Sequence, residues 1–513
     1  MALRPRWCNL VAWLAAALGA VLTVAGCVLL WLRMLPLGLP GQWYWPLRQM
    51  LPHFWPTQFG IIIVAGAAVY VTYLVRPKTA PRVAPYLFGV LTCCCAAFGM
   101  MRGLYLAEGY AHLRTAQVTS SVAALPYYGE AVMTDDVGEL LRHYGDCEGR
   151  KRLPDRLRTH PPGPVLYFVC ARRAILASPG LIELGRRQLA LEGIAAADAP
   201  ALVQGYTAVP MTAEDVIAGM VASLLLSFLG VLTPAALFLV AWAITEPKTA
   251  LVSALLAAVI PSLLLFVPSI DGLGTVVVLG ALGTFLWSLR RGSHALAVLS
   301  ALLWAAAFFW SVGLLVLALP AAAVLVYHLR QARQRRAALA VAGVTAGVFV
   351  LTFALLYVAV GYNPVANTAE ILVSQGQIMA AAGRDRLAWT LMNMYEFGLF
   401  LGPMLAVTSL AGLACALYGP DPRGSQAQGG ARGAIAYLGL GLLAAFVLLD
   451  ASGSTRGEVG RIWLFLMPLF AIYAAHLRHY VSERAWLWHF PPLLGAQLAI
   501  ALYLFAYTIP VQP

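Results

Sequence analysis

Charged side chains are scarce in this sequence of 513 residues: Asp, Glu, Lys and Arg together make up only 11%. A soluble domain carries about 25% charged residues, so this scarcity excludes a soluble enzyme and a disordered tail. Hydrophobic residues reach 61%, which allows a dozen or more membrane crossings at about 20 residues for each helical span. We therefore expect an all-α polytopic membrane protein, because a long apolar run satisfies its backbone in lipid as a helix.

Acidic residues are few outside one segment. Of the 22 Asp and Glu, 11 lie between Leu104 and Thr212, where 11 Lys and Arg balance them. The rest of the chain has 23 basic and 11 acidic residues, an excess typical of the short cytoplasmic loops that fix orientation. We therefore attribute the net charge of +12 to membrane topology and predict no nucleic-acid partner. The 31 Arg against 3 Lys, with abundant Ala, favour a GC-rich bacterial source and hence a plasma (inner) membrane location.

The apolar runs predict about thirteen transmembrane helices. Arg4 and Arg6 precede the first run, which is too long for a cleaved signal peptide, so we expect a cytoplasmic N-terminus. The short basic loops then fall on the cytoplasmic side. The predicted spans are Leu10–Leu32, Phe59–Val75, Ala84–Met101, Val216–Ile244, Ala250–Phe266, Thr275–Leu289, Ala295–Phe309, Val312–His328, Ala337–Val360, Thr390–Tyr418, Ala434–Leu449, Ile462–His476 and Leu487–Thr508.

Five segments then lie on the extracytoplasmic face, and one of them is far longer than a simple connection needs. Within it we expect short amphipathic helices between Pro164 and Gly193. The pair Ala295–Phe309 and Val312–His328 has an alternative as one long helix, which would reverse the side of every later loop. The predicted outer segments are Arg33–Gln58, Arg102–Thr212, Pro268–Asp271, Gly361–Trp389 and Asp450–Arg461.

Two short motifs stand in the long outer segment. The first, Thr134-Asp135-Asp136, offers two carboxylates, but the same pattern is a good helix N-cap. The second, His160-Pro161-Pro162-Gly163, is a rigid turn before an apolar helix. Taken separately, each motif has an ordinary structural explanation.

Together, the two motifs resemble the first lumenal loop of GT-C glycosyltransferases, which include the protein O-mannosyltransferases and the aminoarabinose transferases of lipid A. In that superfamily an Asp-Glu pair opens the loop and a His-Pro-Pro or Lys-Pro-Pro closes it. The second acid here is Asp, so the resemblance assigns the catalytic base to Asp135 or Asp136 without choosing between them. It also implies two additional N-terminal helices with an interfacial loop in residues 1–83, a GT-C-like core in 84–513, and an extracytoplasmic catalytic loop region in 102–212.

Three more stretches resemble the same superfamily. Asp271 follows Pro268-Ser269-Ile270 at an outer helix end. A second stretch, Asn393-Met394-Tyr395-Glu396-Phe397, runs into Gly402-Pro403. The third, Arg456-Gly457-Glu458-Val459-Gly460-Arg461, lies at the outer end of a late span.

The resemblance implies a sugar donor carried on polyprenyl phosphate, with inversion at the anomeric carbon. Such transfer needs a carboxylate base and a cation near the leaving phosphate, and Arg donates to phosphate as a fork. We predict Arg461 for the phosphate, with Arg456 second, and Glu458 orienting Arg461 as an i,i+3 pair. Asp271 and His160 are predicted to bind substrate. The alternatives for Arg461 and Asp271 are an interfacial anchor and a solvated turn residue.

The cofactor requirement stays open at this point. GT-C enzymes include some that need a divalent cation such as Mg or Mn and some that need none. The available ligands would be Asp135, Asp136, His160 and Asp271. No His or Cys spacing indicates a structural zinc site. Cys147 and Cys170 could pair in an oxidising compartment. The basic run Arg150-Lys151-Arg152 with Arg156 and Arg158 is expected to be solvated surface, and the alternative is contact with lipid headgroups or the donor phosphate.

The sequence therefore predicts a membrane glycosyltransferase whose partners are membrane lipids, a polyprenyl-phosphate sugar and an acceptor of undefined class, whether lipid, glycan or protein. One alternative is a secondary transporter or flippase, which would place charges near the bilayer midplane. Another is an O-antigen-ligase-like polymer ligase, which would depend on Arg and His in a late loop. A non-catalytic membrane scaffold is the third.

Overall fold

The computed structural model describes residues 6–48, 83–106, 111–121, 126–144, 153, 155–266, 268–419 and 429–509. Within these ranges the chain is helical, apart from a two-stranded antiparallel ribbon and a single bridge between Leu47 and Thr508. The ribbon pairs Gly38–Leu39 with Trp43–Tyr44. We call it the N-terminal ribbon.

Eight helices in the described ranges are long and apolar enough to cross a membrane, or up to ten if each bent helix pair is one span. The chain is thus a multi-pass integral membrane protein. The long helical segments are Arg6–Trp31, Val83–Leu106, Ala213–Gly230 with Thr233–Ile244, Ile270–Arg291, the 3-10 turn Val312–Leu317 with Ala318–Arg330, Arg335–Val360, Gly429–Ser452 and Glu483–Tyr507.

The remaining helices are shorter or bent. Two pairs bend sharply: Gly163–Leu176 with Pro179–Leu191 by 97°, and Arg386–Leu401 with Pro403–Tyr418 by 101°. The others are Ala111–Ser120, Tyr127–Met133, Val137–His143, Asp155–Arg158, the 3-10 turn Ala196–Asp198, Ala199–Gln204, Pro247–Ala258, Pro261–Leu265, His294–Trp310, Pro364–Ala381, Val459–Ile462, Met467–His476 and the 3-10 turn Leu477–His479.

Eight of the predicted spans coincide with helices long enough to cross a membrane, and Thr390–Tyr418 coincides with a bent helix pair. The predicted spans Ala250–Phe266, Ala295–Phe309 and Ile462–His476 fall on shorter helices, so their assignment as crossings stays a prediction. The second predicted span, Phe59–Val75, lies outside the described residues. Several are not single straight helices. The predicted span Thr390–Tyr418 breaks at Gly402, whose φ of 96° is a left-handed value that suits glycine. Gln497 packs directly against this glycine and donates to the carbonyl of Leu401 at 3.1 Å, so the break is stabilised from a neighbouring helix.

The break between His294–Trp310 and the following 3-10 turn confirms two elements where one long helix was the alternative. Ser311 has an extended backbone, with φ −160° and ψ 129°. The first element packs between Ile270–Arg291 and Arg335–Val360, whereas the second packs mainly against Gly429–Ser452. The two elements therefore have different main neighbours in the bundle.

The N-terminal helix Arg6–Trp31 is integrated with the end of the chain. It packs against Pro403–Tyr418 and Glu483–Tyr507. Helix Arg335–Val360, by contrast, leaves most of its apolar surface exposed, including Val358 at 82%. An all-apolar exposed face suits contact with lipid. The predicted division between 1–83 and 84–513 stays a prediction.

Candidate active site

The described parts of the five predicted outer segments meet at one end of the bundle. Arg156 Nη1 lies 3.4 Å from Glu458 Oε2, and Arg461 Nε lies 3.8 Å from Asp271 Oδ2. Gln375 donates to the carbonyl of Ser454 at 2.7 Å. Gln42, beside the N-terminal ribbon, accepts from the amide of Asp385 at 2.8 Å. These contacts show that the described parts of the five segments lie together, while their placement on the extracytoplasmic face stays a prediction.

A cavity of about 390 Å³ lies among these segments. Its lining combines charged residues with an apolar wall from helix Pro364–Ala381 and its neighbours. The polar side includes Tyr127, Arg156, His160, Asp271, Arg384, Arg456, Glu458, Arg461 and Trp463. The apolar side includes Ile371, Leu372, Ile378, Met379, Leu314, Leu449 and Phe465.

The centre of the polar side is a buried charge cluster. Arg461 donates through Nη2 to Glu458 Oε2 at 2.7 Å, and its Nε lies 3.8 Å from Asp271 Oδ2. The predicted i,i+3 pair between Glu458 and Arg461 is thereby confirmed. Arg461 is only 8% exposed, so the alternative of an interfacial anchor with a solvated guanidinium does not describe it.

Electrostatic partners keep Glu458 and Arg461 ionised in spite of their burial. Burial by itself would raise the pKa of Glu458, but Arg461, Arg156 and Arg384 outweigh it and hold that pKa below the usual value. Burial would likewise lower the pKa of Arg461, and the neighbouring Glu458 and Asp271 raise it instead. A buried charge persists only when it is paired, and here each charge has an opposite charge beside it.

The backbone that presents these residues, Gly453–Arg461, we call the arginine loop. Glu458 has φ 59°, a left-handed value unusual for a residue with a side chain, and it lies between Gly457 at φ 94° and the short helix Val459–Ile462. Such a conformation costs about 1–3 kcal/mol and persists where surrounding contacts determine it. The loop is therefore held by its neighbours and not by its own preference.

Helix Arg386–Leu401 supplies those neighbours through two residues one turn apart. Asn393 donates to the carbonyl of Thr455 at 2.9 Å and accepts from the amide of Gly457 at 3.2 Å. Glu396 accepts from the amide of Gly460 at 3.1 Å and from the indole of Trp45 at 2.9 Å. The stretch that the sequence indicated at 393–397 thus positions the arginine loop and connects it to Trp45, the residue that follows the N-terminal ribbon.

Two further arginines line the cavity: Arg384, which the sequence did not indicate, and Arg156, which it favoured as solvated surface. Arg384 donates to the carbonyl of Arg456 and lies 5.4 Å above the Trp43 ring, while Arg456 donates to the carbonyl of Arg384 at 2.6 Å. Arg156, expected to be solvated surface, instead pairs with Glu458. The position of Arg156 on the short helix Asp155–Arg158 does not predict a partner so far along the chain.

His160 forms the edge of the cavity next to Tyr127. Its Nδ1 lies 2.9 Å from the carbonyl of Arg156, which identifies Nδ1 as the protonated nitrogen. Burial lowers the pKa of His160 to about 4, so the ring is neutral near pH 7. The two rings meet edge to face at 5.7 Å.

Four cavity-lining residues each have a buried polar atom with no hydrogen-bond partner among the described residues. All four atoms belong to groups that donate hydrogen bonds. Buried polar groups in proteins are almost always paired, so a cluster of unpaired donors in one cavity indicates a ligand with acceptor atoms. The atoms are the hydroxyl oxygen of Tyr127, Nε of Arg384, Nε of Arg461 and Nε1 of Trp463.

Asp135 and Asp136 are not among the residues that line this cavity. Asp136 caps helix Val137–His143, accepting from the amides of Gly138 at 2.7 Å and Glu139 at 3.3 Å. Asp135 is exposed, and its backbone carbonyl accepts from Arg173 at 2.6 Å. The cavity therefore brings together His160, Asp271, Arg456, Glu458 and Arg461, but not the two predicted catalytic acids.

The predicted metal ligands do not all meet in the cavity. Of the four predicted ligands, His160 and Asp271 share the cavity, and the described residues include no group of three or more His, Cys, Asp or Glu that could hold a metal ion. The donor set does not fit a resident metal, and no step below depends on one. Cys170 is exposed, and its predicted partner Cys147 lies outside the described residues, so their pairing stays a prediction.

Comparison with known proteins gives little further guidance. No family model matches the chain, and no curated protein matches it. Among solved structures, the Archaeoglobus fulgidus oligosaccharyltransferase in complex with zinc and sulfate aligns at 15% identity and a TM-score of 0.33, covering 64% of this chain. The alignment spans 44% of the length of that protein. Because the identity and the TM-score are this low, the similarity supports no functional assignment, and the proposed function rests on the residues of the site.

Proposed function

We propose that the chain is a membrane glycosyltransferase that moves a sugar from a polyprenyl-phosphate carrier to an acceptor hydroxyl. The acceptor oxygen would bond to the anomeric carbon as the bond from that carbon to the phosphate oxygen breaks. The acceptor proton would pass to a carboxylate, and polyprenyl phosphate would leave with the electron pair. The resemblance in the sequence implies inversion and an extracytoplasmic site.

The amphiphilic lining of the cavity is the observation that supports this proposal best. Its charged residues are four arginines and two acids, which leaves a net positive charge opposite a wall of aliphatic side chains. The unpaired donors of Arg384, Arg461 and Trp463 belong to the same lining. An anionic, oxygen-rich head group with a hydrocarbon tail satisfies both sides of the cavity, whereas a free sugar or a plain hydrocarbon satisfies only one.

Arg461 is our candidate for the leaving phosphate. Negative charge grows on that phosphate as the glycosidic bond breaks, so a preorganised cation stabilises the transition state more than the ground state. Glu458 holds the guanidinium through Nη2, whereas Asp271 lies 3.8 Å from Nε, too far for a hydrogen bond, so Nε can donate to an incoming acceptor. Arg384 and Arg156 would add positive charge from the other walls.

Asp271 is our candidate for the carboxylate that accepts the proton. It lies at the N-terminal end of helix Ile270–Arg291, lines the cavity and accepts from Ser269 at 2.7 Å. A general base must reach the proton it removes, and position in the cavity favours Asp271 on this criterion. The assignment of Asp135 or Asp136 as base, which the sequence resemblance implied, remains an untested prediction.

The test is turnover of a panel of synthetic polyprenyl-phosphate sugars by the purified full chain, followed as release of polyprenyl phosphate. We expect one donor to react, and Arg461→Ala to lower the rate by about 100-fold or more, since one preorganised group at a developing charge contributes about that much. Arg290→Ala, on the last turn of helix Ile270–Arg291 away from the cavity, is the matched control and should keep the rate.

Two results would contradict the proposal. One is that no donor in the panel reacts although the protein binds polyprenyl phosphate, which would favour a flippase that carries the lipid without chemistry. The other is equal loss in Arg461→Ala and Arg290→Ala, which would show a general effect of removing arginine.

A further inference from the structure

Two adjacent tyrosines begin the short helix Tyr127–Met133, and their hydroxyl groups have opposite environments. Both side chains are fully buried, at 0% exposure. The hydroxyl of Tyr128 donates to the backbone carbonyl of Asp215 at 2.5 Å. The hydroxyl of Tyr127 has no hydrogen-bond partner among the described residues.

No described residue gives the Tyr127 hydroxyl a hydrogen bond that would stabilise the fold. A buried donor without a partner loses its bond to water and destabilises the folded state, so phenylalanine would suit the same position better in the absence of a ligand. Tyr127 nevertheless lines the cavity, and its ring is fixed against His160 at 5.7 Å. The hydroxyl is therefore placed at the cavity, where a bound molecule can accept a hydrogen bond from it.

The surroundings of the hydroxyl define what that molecule offers. Asp271, Arg156 and Arg461 are near enough to act on the phenol electrostatically. Burial raises the pKa of Tyr127 well above its usual value, so the phenol keeps its proton and can donate. The two arginines also donate, and a group that accepts from several donors at once beside two cations is an anion with several oxygens.

We propose that the Tyr127 hydroxyl is a ligand-binding donor that bonds a phosphate oxygen of the bound lipid, beside Arg461 and Arg156. The lipid part of this ligand rests on the proposed function, whereas the phosphate part rests on the donors around the hydroxyl. Tyr127 is then a binding residue that the sequence motifs did not indicate, since Pro126-Tyr127-Tyr128-Gly129 has no signal that separates its two tyrosines.

The two tyrosines provide their own matched control. Tyr127→Phe and Tyr128→Phe each remove one oxygen from a fully buried ring in the same short helix. The detergent-purified full chain would be titrated calorimetrically with a synthetic long-chain polyprenyl phosphate, with the corresponding polyprenol as the ligand lacking phosphate. Thermal unfolding of each variant would be measured without ligand.

We expect opposite results from the two substitutions. Tyr127→Phe should weaken polyprenyl phosphate binding about tenfold or more, as expected for a lost hydrogen bond to a charged group, with an unchanged or higher Tm. Tyr128→Phe should lower the Tm and leave the affinity within about twofold. Polyprenol binding, if measurable, should not distinguish the variants.

Each outcome decides between this inference and the proposed function. Unchanged affinity in Tyr127→Phe overturns the inference even if sugar transfer is observed. A lowered Tm in Tyr127→Phe equal to that of Tyr128→Phe also overturns it, because the hydroxyl would then have a structural partner. Weakened binding in Tyr127→Phe without turnover of any donor supports the inference and contradicts the proposed transfer. A wild-type chain that binds no polyprenyl phosphate contradicts both.

Discussion

Two acid-bearing turns lie in the same group of connecting segments, and they differ in the reach of their contacts. The side chain of Asp136 bonds to backbone amides two and three residues away, and it is exposed. Asp271 faces Arg461 from nearly two hundred positions along the chain, and Arg461 is almost fully buried. The turn at Asp136 stabilises its own helix. The turn at Asp271 contributes to a group of charges whose partners come from distant parts of the chain.

This difference explains why the two turns invite different functional assignments. A cap is satisfied by its own helix, so it needs no ligand and gives no sign of one. The buried cluster around Arg461 leaves a donor unpaired in a cavity, and such a group has to be explained by a ligand. Burial and partner distance thus separate the turns more clearly than their acidity does.

The largest expected effect tests which turn provides the base. Asp271→Asn should lower sugar transfer by about 100-fold or more, in the range that a positioned general base contributes. Asp135→Asn and Asp136→Asn should stay near the wild-type rate, because both are exposed and asparagine also caps helices well. The measurement is the initial rate of polyprenyl phosphate release by purified protein.

The opposite ranking would invert the comparison. A variant at Asp135 or Asp136 that folds normally and loses transfer, beside an active Asp271→Asn, would restore the assignment implied by the sequence resemblance. The turn at 134–136 would then have to reach the cavity in a conformation other than the one described here.

The next effect concerns how the arginine loop, which places Arg461 opposite Asp271, is held in position. Glu396→Ala removes the acceptor of the Gly460 amide and the Trp45 indole, and should lower the transfer rate about tenfold by leaving buried donors unpaired. Glu396→Gln keeps an oxygen in the same place and should stay within about threefold. Initial rates at saturating donor, together with donor affinity, would show whether positioning of the arginine loop is impaired.

Met394→Ala is the control on the same helix, because Met394 is 44% exposed and has no such bonds. Equal rates for Glu396→Ala and the wild type would show that the arginine loop does not depend on this contact. Failure of Glu396→Gln to retain activity would instead indicate that the charge of Glu396, and not its acceptor, matters.

The sequence predicted the parts of this molecule that depend on local pattern. Apolar runs located the helices, and the positions of the basic loops predicted which connections meet at one end. The i,i+3 pair of Glu458 and Arg461 also follows from local spacing. Each of these depends on residues within a few turns of one another.

The remaining parts depend on contacts between distant residues. Arg156 belongs to a basic run that resembles solvated surface until Glu458 is placed beside it. Arg384 stands in a polar connection and becomes a cavity residue only when Trp43 of the N-terminal ribbon lies beneath it. The break at Gly402 depends on Gln497, and no local pattern predicts a partner so far along the chain.

The smallest expected effect tests the local turn in its own terms. Asp136→Ala should lower the free energy of unfolding by about 1 kcal/mol, the usual contribution of an N-cap, while Asp136→Asn should lower it by only a few tenths. Thermal unfolding of the two variants in the same detergent would measure the difference. Because the helix Val137–His143 is short and leaves most of its residues outside the core, its loss should not disturb the cavity, and transfer should persist in both variants. Reduced transfer in Asp136→Ala with full transfer in Asp136→Asn would mean that the capped helix supports the site from a distance. The two turns would then both contribute to the same site.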